Sequence, residues 1–162
     1  MSRPQVEEVA EDWAARAHDR GGPDWLSDFI ASIGGEIRPS PEPSPLLLVA
    51  ERIDCFVATG ADQWSMAEAL GHLVLHIGHV EAPEGHPANR PVVLAVPTVL
   101  GPSGPLARAR LEAVWFASAF LMPSARFQEI WQRTGGNLRQ ASAELGMPRA
   151  MVAARAVRLG LA

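Results

Sequence analysis

Several features that would place a protein outside the cytoplasm are missing from this chain. Cys55 is the single cysteine, which excludes an internal disulfide and favours a reducing compartment. No stretch approaches the ~18 consecutive apolar residues that mark a transmembrane helix. The first residues include Glu7 and Glu8, where a signal peptide needs an apolar run. We therefore expect a cytoplasmic protein with no membrane segment.

Lysine and tyrosine are also absent, so the permanently basic side chains are all arginines. Together with abundant alanine, glycine and proline, this bias is typical of a GC-rich genome and indicates nothing about function. The net charge of −4 gives no general affinity for nucleic acid. The charge is uneven, because six arginines and two glutamates lie from Arg126 onward, which makes this tail about +4 and the remainder about −8.

The residues that are present suffice for one domain, since 162 residues, 48% of them hydrophobic, can bury a sizeable core. Apolar periodicity predicts helices over residues 5–20, 24–33, 64–79 and 103–121. Short β-like runs are predicted over residues 36–38, 46–50, 53–59 and 92–100. Because most of these runs precede the third helix, we expect a small antiparallel sheet leading into it.

The helix over residues 64–79 carries a line of side chains that can bind metal. Glu68 and His72 are four residues apart, so they lie about one turn, ~6 Å, apart on the face opposite the apolar one and could hold a single ion. A solvated face or a simple ion pair is the alternative interpretation. Gly71, inside the helix, indicates close approach of another backbone, such as that of the sheet.

The segment from Trp64 to His76, WSMAEALGHLVLH, resembles the central helix of the ImmA/IrrE family of zinc metallopeptidases, which reads close to FTLAHELGHLLLH. The match includes His72 and His76. Two positions depart from the family pattern. Glu68 stands where the family has its first zinc-binding histidine, and Ala69 stands where the family has its general-base glutamate.

Glu112 begins a second matching segment. Because it lies beside the apolar stripe of its helix, its carboxylate should be at least partly buried and in need of a cation such as Arg108. EAVWFASAFLMP, which starts at Glu112, is also similar to the family's EANRFAAALLMP, in which the glutamate is the third metal ligand. The resemblance therefore implies a second possible role for Glu112, that of a metal ligand.

The metal site implied by the resemblance consists of Glu68, His72 and Glu112, with His76 as an alternative partner of His72. The family's ion is zinc. A set with two carboxylates is harder than one with two histidines, so it should accept manganese or magnesium more readily. A metal-free protein is the other outcome that this altered set allows.

The fold implied by the resemblance is α+β and zincin-like. It is mostly helical, with a small antiparallel sheet before the active-site-type helix. We expect a metallopeptidase-like domain over residues 1–124 and a C-terminal helical segment over residues 125–162 packed on it.

The closing segment predicts a helix, a turn at Gly146–Met147 and a second helix, the shape used by helix-turn-helix DNA readers. Arg149, Arg155 and Arg158 could touch phosphates. The alternative is a packing unit with an exposed basic rim.

The functional prediction follows from the two departures. Ala69 cannot accept a proton, and the loss of a general base costs about 10²- to 10⁴-fold in rate. We therefore expect a regulatory protein-binding module with lost or impaired hydrolysis. The resemblance implies a helix-turn-helix repressor as partner, in phage, mobile-element or stress regulation. The alternatives are an active divergent endopeptidase with a base such as Glu81 or Glu84, and a DNA-binding regulator acting through the basic tail.

Overall fold

The computed structural model describes residues 1–17, 22, 24–33, 36–38, 46–49, 55–58, 62–76, 92–95 and 105–162. Its helices are α1 (Arg3–Arg16), α2 (Trp25–Ser32), α3 (Gln63–His76), α4 (Pro105–Leu121), α5 (Ser124–Arg133), α6 (Leu138–Leu145) and α7 (Arg149–Arg158). Its strands are β1 (Glu36–Arg38), β2 (Leu46–Val49), β3 (Cys55–Ala58) and β4 (Val92–Ala95). None of the described helices is long and apolar enough to cross a membrane. Apart from α5, each of these helices was predicted, but α1 begins at Arg3 and ends at Arg16. Residues 18–20, 77–79 and 103–104 of the predicted helices lie outside the described residues.

The predicted α+β fold with a small antiparallel sheet ahead of the central helix is wrong. Helices form the body of the described residues, and the strands are only three or four residues long. The strand order is β1-β3-β2-β4, with β1 parallel to β3 and with β2 antiparallel to both β3 and β4. The sheet is therefore mixed, and its fourth strand follows α3. Local alternation of residues could not show this, because strand direction and partner are decided by how the chain crosses over.

Helix α4 is the centre of the helical core, since both α3 and α1 pack against it. Its Phe116 and Phe120 are fully buried, and their rings stack with centroids 5.7 Å apart. A Cβ atom built on Gly71 of α3 would lie 3.0 Å from the Cβ atom of Phe116. The close approach predicted at Gly71 is therefore present, but the neighbour is a side chain of α4 and not the sheet.

Residues at both ends of helix α6 explain where it begins and where it stops before α7. Asn137 caps α6, because its side chain accepts hydrogen bonds from the backbone N–H groups of Arg139 and Gln140, both at 3.1 Å. Gly146 ends α6 with φ of +64°, a conformation that favours glycine. The predicted order of helix, Gly146–Met147 turn and helix is confirmed.

Four charged side chains tie α7 to α1, and we call them the α1–α7 clasp: Glu7, Glu11, Arg155 and Arg158. Arg155 is 1% exposed, and its Nε donates to the backbone carbonyl of Met122 at 3.0 Å. Its guanidinium also donates to Glu11 at 2.9 Å, while Arg158 donates to Glu7 at 3.0 Å. The clasp crosses the predicted boundary between the two units, and that boundary itself stays a prediction.

Candidate functional site between helices α3 and α4

Helix α3 presents the segment that the sequence singled out. Asp62 precedes it and accepts a hydrogen bond from the backbone N–H of Ser65 at 2.8 Å, which satisfies one donor of the first turn. His72 is only 8% exposed. It therefore does not lie on a solvent face opposite the apolar one, because α4 packs across this part of α3.

Glu112 of α4 lies at the centre of the site and is 6% exposed. Its Oε1 accepts from the amino group of Met1 at 2.8 Å and from Nε of Arg108 at 2.9 Å. Its Oε2 lies 3.1 Å from Nε2 of His76. Burial raises the pKa of Glu112, but the hydrogen bonds from Met1, Arg108 and His76 outweigh it and bring the pKa down to about 2. The carboxylate is therefore ionised at neutral pH and well supplied with donors.

The two histidines form a chain that ends on Glu112. The Nδ1 atoms of His72 and His76 are 3.2 Å apart. An ionised Glu112 can only accept, so Nε2 of His76 carries a hydrogen. When His76 is neutral, its Nδ1 must accept from Nδ1–H of His72, which leaves a lone pair on Nε2 of His72. That nitrogen is buried and has no hydrogen-bond partner among the described residues.

His72 is a neutral imidazole at physiological pH. Burial lowers its pKa to about 4, and the nearby charges of His76 and Arg110 act in the same direction. A neutral imidazole with a free lone pair is the form that binds transition metals. This is the one feature of the site that suits a metal.

Glu68 faces a different partner. One of its oxygens lies 3.5 Å from Nε of Arg110 on α4, and its side chain is largely buried. Burial raises the pKa of Glu68, and the charge and hydrogen bond of Arg110 oppose that rise. The ion pair bridges α3 and α4, so Glu68 has a guanidinium where the predicted site requires a metal ion.

The predicted ligand set does not fit a metal in this arrangement. Each carboxylate, of Glu68 and of Glu112, is already paired with an arginine. Within the described part of the chain, no three His, Cys, Asp or Glu side chains form a group that could hold a metal ion. The roles of Glu68, His72 and Glu112 as ligands, and of His76 as the alternative ligand, stay predictions from the resemblance.

Ala69 occupies the predicted general-base position and is 3% exposed, within the hydrophobic core. A methyl group there neither accepts a proton nor orders a water. The alternative bases Glu81 and Glu84 lie outside the described residues.

The three arginines of the tail that were predicted to touch phosphates differ in exposure. Arg155 is buried in the clasp, Arg158 is exposed but bonded to Glu7, and Arg149 is exposed. A buried guanidinium cannot reach a phosphate, so among these three residues a contact with nucleic acid would fall mainly to Arg149. Nucleic-acid binding by this tail stays a prediction.

Sequence reasoning found part of this site and missed part. The pair of Arg108 and Glu112 is confirmed, since its spacing of four residues places both side chains on one helix face. The contact of Arg110 with Glu68 was missed, because residues 42 positions apart on two helices leave no local signal. The contact of the Met1 amino group with Glu112 was missed for the same reason.

Two neighbouring helices, one with paired histidines and the other with a buried glutamate, form the framework of a metallopeptidase-type domain. The sequence profile of the IrrE N-terminal-like domain (Peptidase_M78) matches residues 57–157, which is 101 of the 162 residues. The protein belongs to this family, and the resemblance to the ImmA/IrrE proteins is confirmed. No curated protein matches the chain significantly.

Proposed function

We propose that this protein works by binding a regulatory protein and does not hydrolyse peptide bonds efficiently. The observation that carries the proposal is Ala69, a methyl group buried in the core at the position of the family's general base. A metallopeptidase needs a carboxylate that takes a proton from the attacking water. The neighbouring carboxylate of Glu68 cannot replace this base, because it is turned about 100° around the helix and is paired with Arg110.

The ion pairs at the site support the same conclusion. Lewis-acid hydrolysis requires a metal with an open coordination position for water. Glu112 instead binds Arg108, His76 and the Met1 amino group. These donors support the proposal, because a metal ion bound by Glu112 would have to displace them.

The proposed partner is a helix-turn-helix repressor, of the kind found in phage, mobile-element or stress regulation. This part of the proposal is supported by membership of the family, since ImmA/IrrE proteins commonly act on or beside such regulators. Binding without cleavage would let the protein sequester the repressor or change its affinity for DNA.

The test is an incubation of the pure protein with a candidate repressor in the presence of zinc or manganese. We expect a complex on size-exclusion chromatography and an intact repressor by mass spectrometry. Ala69→Glu restores the family's residue and serves as the comparison for cleavage. Efficient site-specific cleavage by the unmodified protein, abolished by Glu112→Ala, would overturn the proposal.

A divergent active endopeptidase is the second candidate, favoured by the neutral His72, whose Nε2 has no hydrogen-bond partner in the part of the chain that the structure describes. Elemental analysis of protein purified without added metal separates the two. One tightly bound ion per chain favours the peptidase, and a substoichiometric content favours the binding module.

A further inference from the structure

We infer that the guanidinium of Arg110, paired with Glu68, takes the place of a divalent metal ion in holding α3 to α4, while that of Arg108 neutralises Glu112, so that the site folds without metal. The inference deepens the proposed function and rests on it in one respect, namely that the site does not need a metal-bound water. It concerns Arg108 and Arg110 of α4, and the two carboxylates that they neutralise are those of Glu112 and Glu68.

The two arginines reach their partners in different ways. Arg108 binds Glu112 along the same helix, four residues away, with Nε 2.9 Å from Oε1. Arg110 points across the interface to Glu68 on α3, with Nε 3.5 Å from Oε1. A metal ion bound by residues of both helices would join α3 to α4, and in this chain the pair of Arg110 with Glu68 makes such a link.

Burial explains why each carboxylate needs a cation. The side chain of Glu112 is 8% exposed and that of Glu68 is 15% exposed. A carboxylate removed from water must be neutralised by a partner or take up a proton. Arginine meets this need permanently, because its guanidinium does not lose its proton in proteins.

The hydrogen bonds on Glu112 also oppose a metal directly. One oxygen already accepts from Arg108 and from the Met1 amino group, and the other lies next to Nε2 of His76. A divalent ion approaching either oxygen would have to displace these donors and would come close to a positive guanidinium. The site therefore disfavours the ion that the family's ligand pattern would otherwise attract.

The first experiment titrates cobalt(II) and zinc(II) into the unmodified protein, after dialysis against a chelator. We expect no d–d absorption bands from cobalt, no heat of binding from zinc, and the same Tm with zinc as with the chelator. Binding of one equivalent of cobalt with d–d bands that disappear in His72→Ala would overturn the inference.

The second experiment removes each cation in turn. Arg110→Gln and Arg108→Gln keep much of the side chain but leave Glu68 or Glu112 without its guanidinium, so we expect Tm to fall by about 2–4 °C. Arg133→Gln is the matched control, because Arg133 forms ion pairs with Glu129 and Glu144 on an exposed surface. Equal Tm values for the three variants would overturn the inference.

The double variant Arg108→Gln/Arg110→Gln should bind cobalt(II) with d–d absorption bands that the unmodified protein lacks. If it does not fold, the titration of the unmodified protein still decides the question. Metal uptake by the unmodified protein would contradict this inference and leave repressor binding to its own test. Repressor cleavage would overturn the proposed function, and the titration would then show whether a metal takes part.

Discussion

The protein has two clusters of arginine–glutamate pairs, the site between α3 and α4 and the α1–α7 clasp, and they differ in which residue is buried. In the site the buried member is the acid, since Glu112 is 8% exposed by its side chain and Arg108 is 52% exposed. In the Arg155–Glu11 pair of the clasp the buried member is the base, since the side chain of Arg155 is fully buried and that of Glu11 is 34% exposed. The same two residue types are therefore arranged in reverse.

This reversal has a physical consequence. A buried carboxylate that loses its partner can take up a proton or another cation and become neutral. A buried guanidinium that loses its partner cannot become neutral, because its pKa is too high for deprotonation. Arg155 therefore depends on its carboxylate partners at every pH, whereas the acids of the site can lose their charge when a partner is removed.

The largest effect is expected for Arg155→Met. The substitution keeps much of the volume but leaves Glu11 and the carbonyl of Met122 without their buried donor. The unsatisfied carbonyl of Met122 costs about 1–3 kcal/mol, and Glu7 and Glu11 also lose the cation that they share, so the loss is measurable as a shift in the urea midpoint. Arg149→Met, at an exposed position of the same helix, is the control and should leave the midpoint unchanged. Similar midpoints for the two variants would contradict the structural role of the clasp.

A smaller loss is expected for Gly71→Ala, which tests the packing that brings the site together. The new methyl group would lie 3.0 Å from Phe116, so α3 and α4 must separate slightly. Overpacking of this kind, less the gain in helix propensity, should cost about 1–2 kcal/mol. Gly22→Ala, where a Cβ meets nothing within 4 Å, is the control. If Gly71→Ala raised the free energy of unfolding, α3 and α4 would be able to separate at little cost, which would contradict the prediction.

The next largest effect is expected in the pH dependence of stability, through Glu7 of the clasp. Burial raises the pKa of Glu7, but hydrogen bonds from Arg158 and Arg3 and the charge of Arg155 outweigh it and leave the pKa below its usual 4.5. Because the folded pKa is depressed, this contribution to stability is present above pH 4.5 and lost as the pH falls through the lowered value.

The unfolding free energy of the unmodified protein should therefore fall between pH 5 and pH 3 more steeply than that of Glu7→Gln. Glu129→Gln, at an exposed acid, should retain the slope of the unmodified protein. If the unfolding free energies of Glu7→Gln and the unmodified protein fell in parallel with pH, the ion pairs of Glu7 would not contribute to stability.

The smallest effect is expected for Arg158→Gln. Arg158 binds the same Glu7 as Arg155 does, but its side chain is 34% exposed and water can replace it. Thermal melting should show no resolvable change in Tm. A loss as large as that of Arg155→Met would mean that exposure does not decide the energetics here.

Local spacing along the chain was enough to predict several features of the protein. The helical repeat of 3.6 residues predicted the helix that contains His72 and His76, the helix that contains Glu112, and the pairing of Arg108 with Glu112. The family was recognised from the same two segments and is confirmed. Residues on one helix keep their relative positions wherever the helix lies, which is why these predictions succeeded.

The contacts between separate segments could not be predicted, because they are set by the packing of the folded chain. This packing paired Arg110 with Glu68, placed Phe116 against Gly71, buried Arg155 against Glu11, and made the sheet mixed. Such contacts depend on how helices and strands cross one another, and that geometry is set by the packing of the whole core. A residue pattern read along the chain shows what a side chain can bind, and the packing selects the partner that it does bind.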